Sequence, residues 1–132
     1  MRKYSGGTVS DLRMHLVLVT KYRRKVINKT VLKRLEEVLK ATCQKWDCEL
    51  QQCNGENNHV HMIIEYTPKM EIAKFANNLK TVSSRLIRKE FPSVKAAFRK
   101  DVFWKIGYYV GSFGEASLEA VKKYIEQQDR PV

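Results

Sequence analysis

No apolar run in this 132-residue chain approaches the length of a membrane span; the longest, Leu16–Val19, has the size of a short strand. Residues 1–13 hold no apolar signal core, so no export is expected and the location reads as cytoplasmic. Cysteine is scarce as well. Cys43, Cys48 and Cys53 are odd in number, which speaks against a disulfide framework, and they lack a C-x-x-C spacing, which speaks against structural zinc. They read as small, partly buried thiols. There is no internal repeat, low-complexity segment or interdomain linker, so a single domain over 1–132 is expected. Phosphate-binding P-loops, G-x-S-x-G elbows, H-E-x-x-H metal helices and dense carboxylate clusters are all missing, and each absence removes a class of enzyme.

Acidic residues are the other shortage: 14 Asp and Glu face 25 Lys and Arg, a formal net charge of +11. Such an excess implies a polyanionic partner, foremost nucleic acid. The basic residues are spread along the chain rather than gathered on one amphipathic helix or tail, which argues against a membrane surface. With 43% apolar and 30% charged residues, the chain has an ordinary globular composition.

Hydrophobic periodicity then sets an order of elements. A buried strand is expected over 12–20, followed by the basic residues Lys21, Arg23, Arg24 and Lys25. Val31, Leu35, Val38, Leu39, Thr42 and Trp46 recur at helical spacing, with Asn28 as N-cap. A short strand over 48–53 is expected to end in a turn at Asn54–Gly55, and a second strand to run over 59–66. Thr67–Pro68 suggests the start of a helix whose stripe runs from Ile72 through Phe75, Leu79 and Ile87 to Phe91, with Pro92 ending it. A basic loop, a strand over 107–113 and a helix over 117–128 complete the chain. The order β-α-β-β-α-β predicts an α+β, ferredoxin-like sheet with two helices on one face, plus a C-terminal helix.

Two constellations could carry chemistry. On the strand over 59–66, alternate side chains share a face, so His59 and His61 stand side by side, roughly 7 Å apart at Cα. Two neutral imidazoles can converge on one divalent cation. On the last helix, Tyr124 and Gln128 lie four residues apart on one face, next to the stripe Leu118, Val121, Ile125. A phenol can attack phosphorus once activated, and a cation can stabilise the charge that develops. Lys21, Arg23, Arg24, Lys80, Arg85, Arg88, Arg99 and Lys100 are expected as a group to contact phosphate, with Tyr22 and Trp104 as stacking platforms. His15 lies alone in the first strand.

These segments carry a resemblance. His59–Val60–His61–Met62–Ile63–Ile64 resembles the His-hydrophobic-His (HUH) motif of single-tyrosine transposases of the insertion-sequence 200/605 type. Lys21–Tyr22–Arg23–Arg24–Lys25–Val26 is similar to the family's KYRRKV segment, and Leu79–Lys80–Thr81–Val82–Ser83–Ser84–Arg85 to its LKxxSSR helix. Phe103–Trp104, Tyr108–Tyr109–Val110–Gly111 and Val121–Lys122–Lys123–Tyr124–Ile125–Glu126 follow in the family's order. The resemblance implies a DNA transposase that cleaves and rejoins single-stranded DNA at insertion-sequence ends, recognises hairpins and forms a 5′-phosphotyrosine with Tyr124. It implies Mg²⁺ or Mn²⁺ held by His59, His61 and Gln128, and a homodimer whose active site is shared between protomers. Two positions depart from the pattern: Asn58 stands where an acidic residue often precedes the first histidine, and Ser112–Phe113–Gly114 replaces a Thr-Val-Gly.

Overall fold

The computed structural model describes residues 3–5, 8–112 and 118–127, with side chains from 11 to 112 and from 122 to 127. Two short strands, β1 (Lys3–Ser5) and β2 (Thr8–Ser10), form an antiparallel pair that hydrophobic patterning did not announce. The main sheet follows the expected order: β3 (Leu12–Val19), α1 (Lys29–Lys45), β4 (Glu49–Glu56), β5 (His59–Tyr66), α2 (Ile72–Glu90), the short α3 (Pro92–Ala97), β6 (Tyr109–Ser112) and α4 (Leu118–Glu126). Strands are arranged β4-β5-β3-β6 and every pair is antiparallel, the ferredoxin-like arrangement.

Strand parity decides which side is core. Met14, Leu16 and Leu18 of β3 and Val60, Met62 and Ile64 of β5 face the helices and are fully buried. They meet Val31, Leu35, Leu39 and Cys43 of α1 and Phe75, Ala76, Leu79 and Ile87 of α2 in one cluster. The Asn28 side chain caps α1 by accepting from the Val31 N–H at 2.8 Å, as its sequence position suggests. All three cysteines are free thiols, two of them buried.

Three local expectations are corrected. Asn54–Gly55 is not a turn: β4 continues through it to Glu56, and the chain reverses at Asn57–Asn58. Gly55 is needed there because a Cβ would lie 2.9 Å from the His59 carbonyl oxygen and 2.9 Å from Leu32 Cδ1. Thr67–Pro68 lies in the connection before α2, whose N-cap is Glu71. Pro92 does stop α2, but as the first residue of α3, where its missing N–H costs no hydrogen bond. The last strand also starts later than expected, at Tyr109 after Gly107 at φ +89°, and Phe113, its expected end, lies outside the described residues.

The opposite face of the sheet is less open than alternation alone implies. Val17 and Val19 are buried beneath Tyr109, Tyr124 and Ile125, so α4 lies over this face. Glu65 is fully buried and His59 nearly so.

Candidate active site

His59 and His61 do share a face, as their two-residue spacing requires. Their rings are near parallel, 24° apart with centroids at 6.0 Å. Asn58 Oδ1 lies 2.9 Å from His59 Nδ1. An amide oxygen only accepts, so this contact puts the proton on Nδ1 and leaves Nε2 as the lone-pair nitrogen. Asn58, the departure from the acidic pattern, thus still orients the ring. Burial pushes both imidazoles below the ordinary histidine value, with the carboxylate of Glu56 pulling the other way and His61 lowering His59 further. Both are therefore neutral at pH 7, the state in which imidazole can bind a metal.

His15 is the residue that sequence reasoning left alone. It pairs with Ile63 in the β3–β5 register, one diagonal step from His61, and their rings meet edge-on at 5.6 Å. On its other side its ring meets Tyr109 at 6.3 Å, and Tyr109 in turn lies 5.8 Å from Tyr124. Odd-numbered positions of β3 share a face with odd-numbered positions of β5, so the parity of 15, 59 and 61 was the available signal. A cleft of about 510 Å³ is lined by His15, Glu56, His59 and His61 from the sheet, by Asn58 from the β4–β5 turn, and by Lys122, Ile125 and Glu126 from α4.

Tyr124 is half buried, and burial raises its phenol above the ordinary value. It packs on Val17 and Val19, the residues directly opposite His61 and His59 in the register. Gln128 lies outside the described residues. Among the described residues no three His, Cys, Asp or Glu side chains are placed to share a metal ion. The imidazoles of His59 and His61 are candidate donors for a cation in this cleft, which the carboxylates of Glu56 and Glu126 also line. The two imidazoles fit that use in protonation state and in sharing one cleft.

The basic residues separate into those aimed outward and those committed to the fold. Arg85, Arg99 and Lys100 are exposed. Lys21, Tyr22, Arg23 and Arg24 gather after β3, with Lys21 and Arg24 over the Tyr22 ring at 5.1 and 5.8 Å. Lys80 Nζ instead donates to the carbonyls of Lys105 at 2.7 Å and Gly107 at 2.9 Å, and burial lowers its pKa. Arg88 is bound to Ser84 and, at 3.2 Å, to Asp101. Trp104 is no stacking platform. It is 6% exposed, packs edge-on against Phe103, and its Nε1–H donates to Ser83 Oγ at 2.9 Å. The LKxxSSR helix thereby acquires a structural meaning: Lys80 clasps the segment before β6 and Ser83 holds Trp104.

The sequence profile of the family described as "Transposase IS200 like" matches residues 8–128. The transposase for insertion sequence element IS200 of Salmonella typhimurium is 28% identical over 118 residues, 89% of this chain and 77% of that one. The ISDra2 transposase TnpA of Deinococcus radiodurans is 28% identical over 126 residues, 96% of this chain and 90% of that one. A crystal structure of a transposase from Deinococcus radiodurans R1 superposes with a TM-score of 0.89 at 29% identity, covering 97% and 98% of the two chains. A REP-associated tyrosine transposase bound to a REP hairpin shares the fold at a TM-score of 0.58 and 9% identity, over 96% of this chain and 69% of that one. With the profile spanning nearly its whole length, this chain belongs to the IS200-like transposase family.

Proposed function

We propose that this transposase cuts and rejoins single-stranded DNA through a covalent link between Tyr124 and a DNA 5′ phosphate, with a divalent cation, Mg²⁺ or Mn²⁺, held by His59, His61 and Gln128. The observation that carries the reading is the footing of Tyr124 on Val17 and Val19, each directly across the strand pair from one of the two histidines. The same helix, α4, reaches the histidine cleft, which Lys122, Ile125 and Glu126 help to line.

In this scheme the Tyr124 oxygen attacks phosphorus, a tyrosyl O–P bond forms, and the bond to the 3′ oxygen breaks, that oxygen leaving as a 3′ hydroxyl with the proton it gains. A 3′ hydroxyl from another strand later attacks the same phosphorus and releases the tyrosine. The number of phosphodiester bonds is unchanged, so no nucleotide cofactor is consumed. A cation on the two imidazoles would supply positive charge against the charge developing on the phosphate oxygens. Imidazole donors favour Mn²⁺ over Mg²⁺. The phenol is protonated at neutral pH and burial raises it further, so Tyr124 needs activation to give up its proton before it attacks.

A hairpin as the recognised DNA is supported by the solved tyrosine transposase of this fold that carries one. A homodimer whose active site is shared between protomers is the arrangement that the family resemblance implies, and it belongs to the same proposal. The test is cleavage of hairpin-bearing single-stranded DNA in Mn²⁺ or Mg²⁺, read as a protein–DNA adduct on denaturing gels. Wild type should form the adduct; Tyr124→Phe should not, and His59→Ala or His61→Ala should bind DNA without cutting it. An adduct that persists in Tyr124→Phe overturns the nucleophile.

A further inference from the structure

The segment after β3 holds an unusual backbone. Tyr22 and Arg23, neither of them glycine, both take positive φ, 57° and 53°, a left-handed region that L side chains avoid. One tertiary and two local hydrogen bonds keep them there. The Lys21 N–H donates to the Phe103 carbonyl at 2.9 Å, the Arg23 N–H to the Thr20 carbonyl at 2.9 Å, and the Thr20 hydroxyl to the Arg24 carbonyl at 2.8 Å. Strain maintained by surrounding structure is characteristic of preformed sites.

The bend makes one wall of a pocket of about 360 Å³, closed on the other side by Phe98, Arg99, Lys100 and Val102. The size suits a small ligand. Its walls are apolar, from Tyr22, Phe98 and Val102, while Lys21, Arg24, Arg99 and Lys100 supply the charge. The Arg24 guanidinium stands between the two rings, 5.8 Å from Tyr22 and 5.9 Å from Phe98. Its Nε is buried and has no acceptor among the described residues. A bare phosphate has no use for two aromatic walls, and an acyl chain offers nothing to a buried N–H. A nucleobase has a π-face for the rings, carbonyl or ring-nitrogen acceptors for Arg24, and flanking phosphates for the remaining cations. None of these residues lines the histidine cleft.

We propose that this pocket takes one unpaired nucleobase of the bound DNA, stacked on Tyr22 and accepting a hydrogen bond from Arg24, with Arg99 and Lys100 on the adjoining phosphates. The proposal rests on the DNA-binding reading above and narrows it. What sequence suggested as grouped phosphate contacts beside a stacking Tyr22 becomes, for this cluster, a single base slot.

The test uses deoxynucleoside monophosphates and inorganic phosphate as probes, followed through backbone amide shifts of the full chain at constant ionic strength. The nucleotides should shift the amides of 21–24 and 98–102 and saturate, and inorganic phosphate should bind there at least about tenfold more weakly. Tyr22→Asn keeps a residue that tolerates positive φ and removes the ring, and should weaken nucleotide binding about tenfold. Tyr22→Phe should restore it. Phosphate binding as tightly as the nucleotides, nucleotide shifts confined to other residues, or an unaffected Tyr22→Asn would each overturn the slot. The wider DNA reading is measured separately, by the salt dependence of single-stranded oligonucleotide binding. A flat salt dependence would remove that reading whatever the mononucleotides do.

Discussion

The His15 imidazole meets that of His61 edge-on, 5.6 Å between centroids, and its Nε2 is buried with no acceptor or donor partner among the described residues. Burial, and for His15 and His59 the neighbouring charge of His61, lowers the pKa of His15, His59 and His61 from the ordinary 6.5. The unfolded chain therefore takes up protons near pH 6.5 that the folded chain still refuses. Stability from these three groups is fully present above about pH 6.5 and lost as pH falls toward their depressed folded values. In metal-free protein, Tm should fall between pH 7 and pH 5, and fall less in His15→Gln. A Tm that is flat or rises over this window would contradict the burial of the cluster.

Ser83 is fully buried, donating to the Leu79 carbonyl at 2.6 Å while accepting from Trp104 Nε1. Ser83→Ala leaves the indole N–H buried without an acceptor, at a cost of about 1–3 kcal/mol. Trp104→Phe removes the donor instead. The double variant should therefore cost less than the two single costs added together, because no orphan group remains. Urea unfolding of the four proteins measures this coupling, and strict additivity would show that the bond contributes nothing.

Much of this architecture was legible in residue patterns because it rests on two periodicities. Alternation in β3 and β5 and the 3.6-residue stripes of α1 and α2 place the core, and the same alternation sets His59 beside His61. What patterns could not show is which strands become neighbours. His15 looked solitary because its partners, His61 and Tyr109, come from strands 46 and 94 positions later, brought beside β3 by the register. Asn54–Gly55 read as a turn from its dipeptide preference, yet Gly55 is present for want of space next to Leu32 and His59. Trp104 and Lys80 read as DNA contacts because an aromatic and a cation in a basic chain look the same whether they face solvent or, as here, Ser83 and the carbonyls of Lys105 and Gly107.

Lys80 and Arg99 should therefore behave oppositely. Two of the three Lys80 N–H donors are spent on the carbonyls of Lys105 and Gly107, whereas Arg99 is exposed at the rim of the basic pocket. Arg99→Gln should lower the slope of log affinity against log salt by about 0.7 on single-stranded DNA, one phosphate contact's worth. Lys80→Gln should leave that slope near the wild-type value and lower the denaturation midpoint. A slope change in Lys80→Gln equal to that of Arg99→Gln would return Lys80 to the DNA surface.

Gly55 joins the packing of the sheet to the geometry of the site. It pairs with Val60 in the β4–β5 ladder, and a Cβ would meet the His59 carbonyl oxygen at 2.9 Å, Leu32 Cδ1 at 2.9 Å and Val60 Cγ1 at 3.0 Å. Leu32 can turn aside, but the His59 carbonyl is backbone and can yield only by moving β5. Gly55→Ala should cost about 1–3 kcal/mol as overpacking. The displaced backbone carries the His59 ring with it, and metal ligands tolerate little misplacement, so Mn²⁺ affinity should drop about tenfold or more. Thermal denaturation and Mn²⁺ calorimetry on the same variant separate the two effects. A destabilised Gly55→Ala that binds Mn²⁺ as wild type does would mean the strain is absorbed by Leu32 and never reaches the histidine pair.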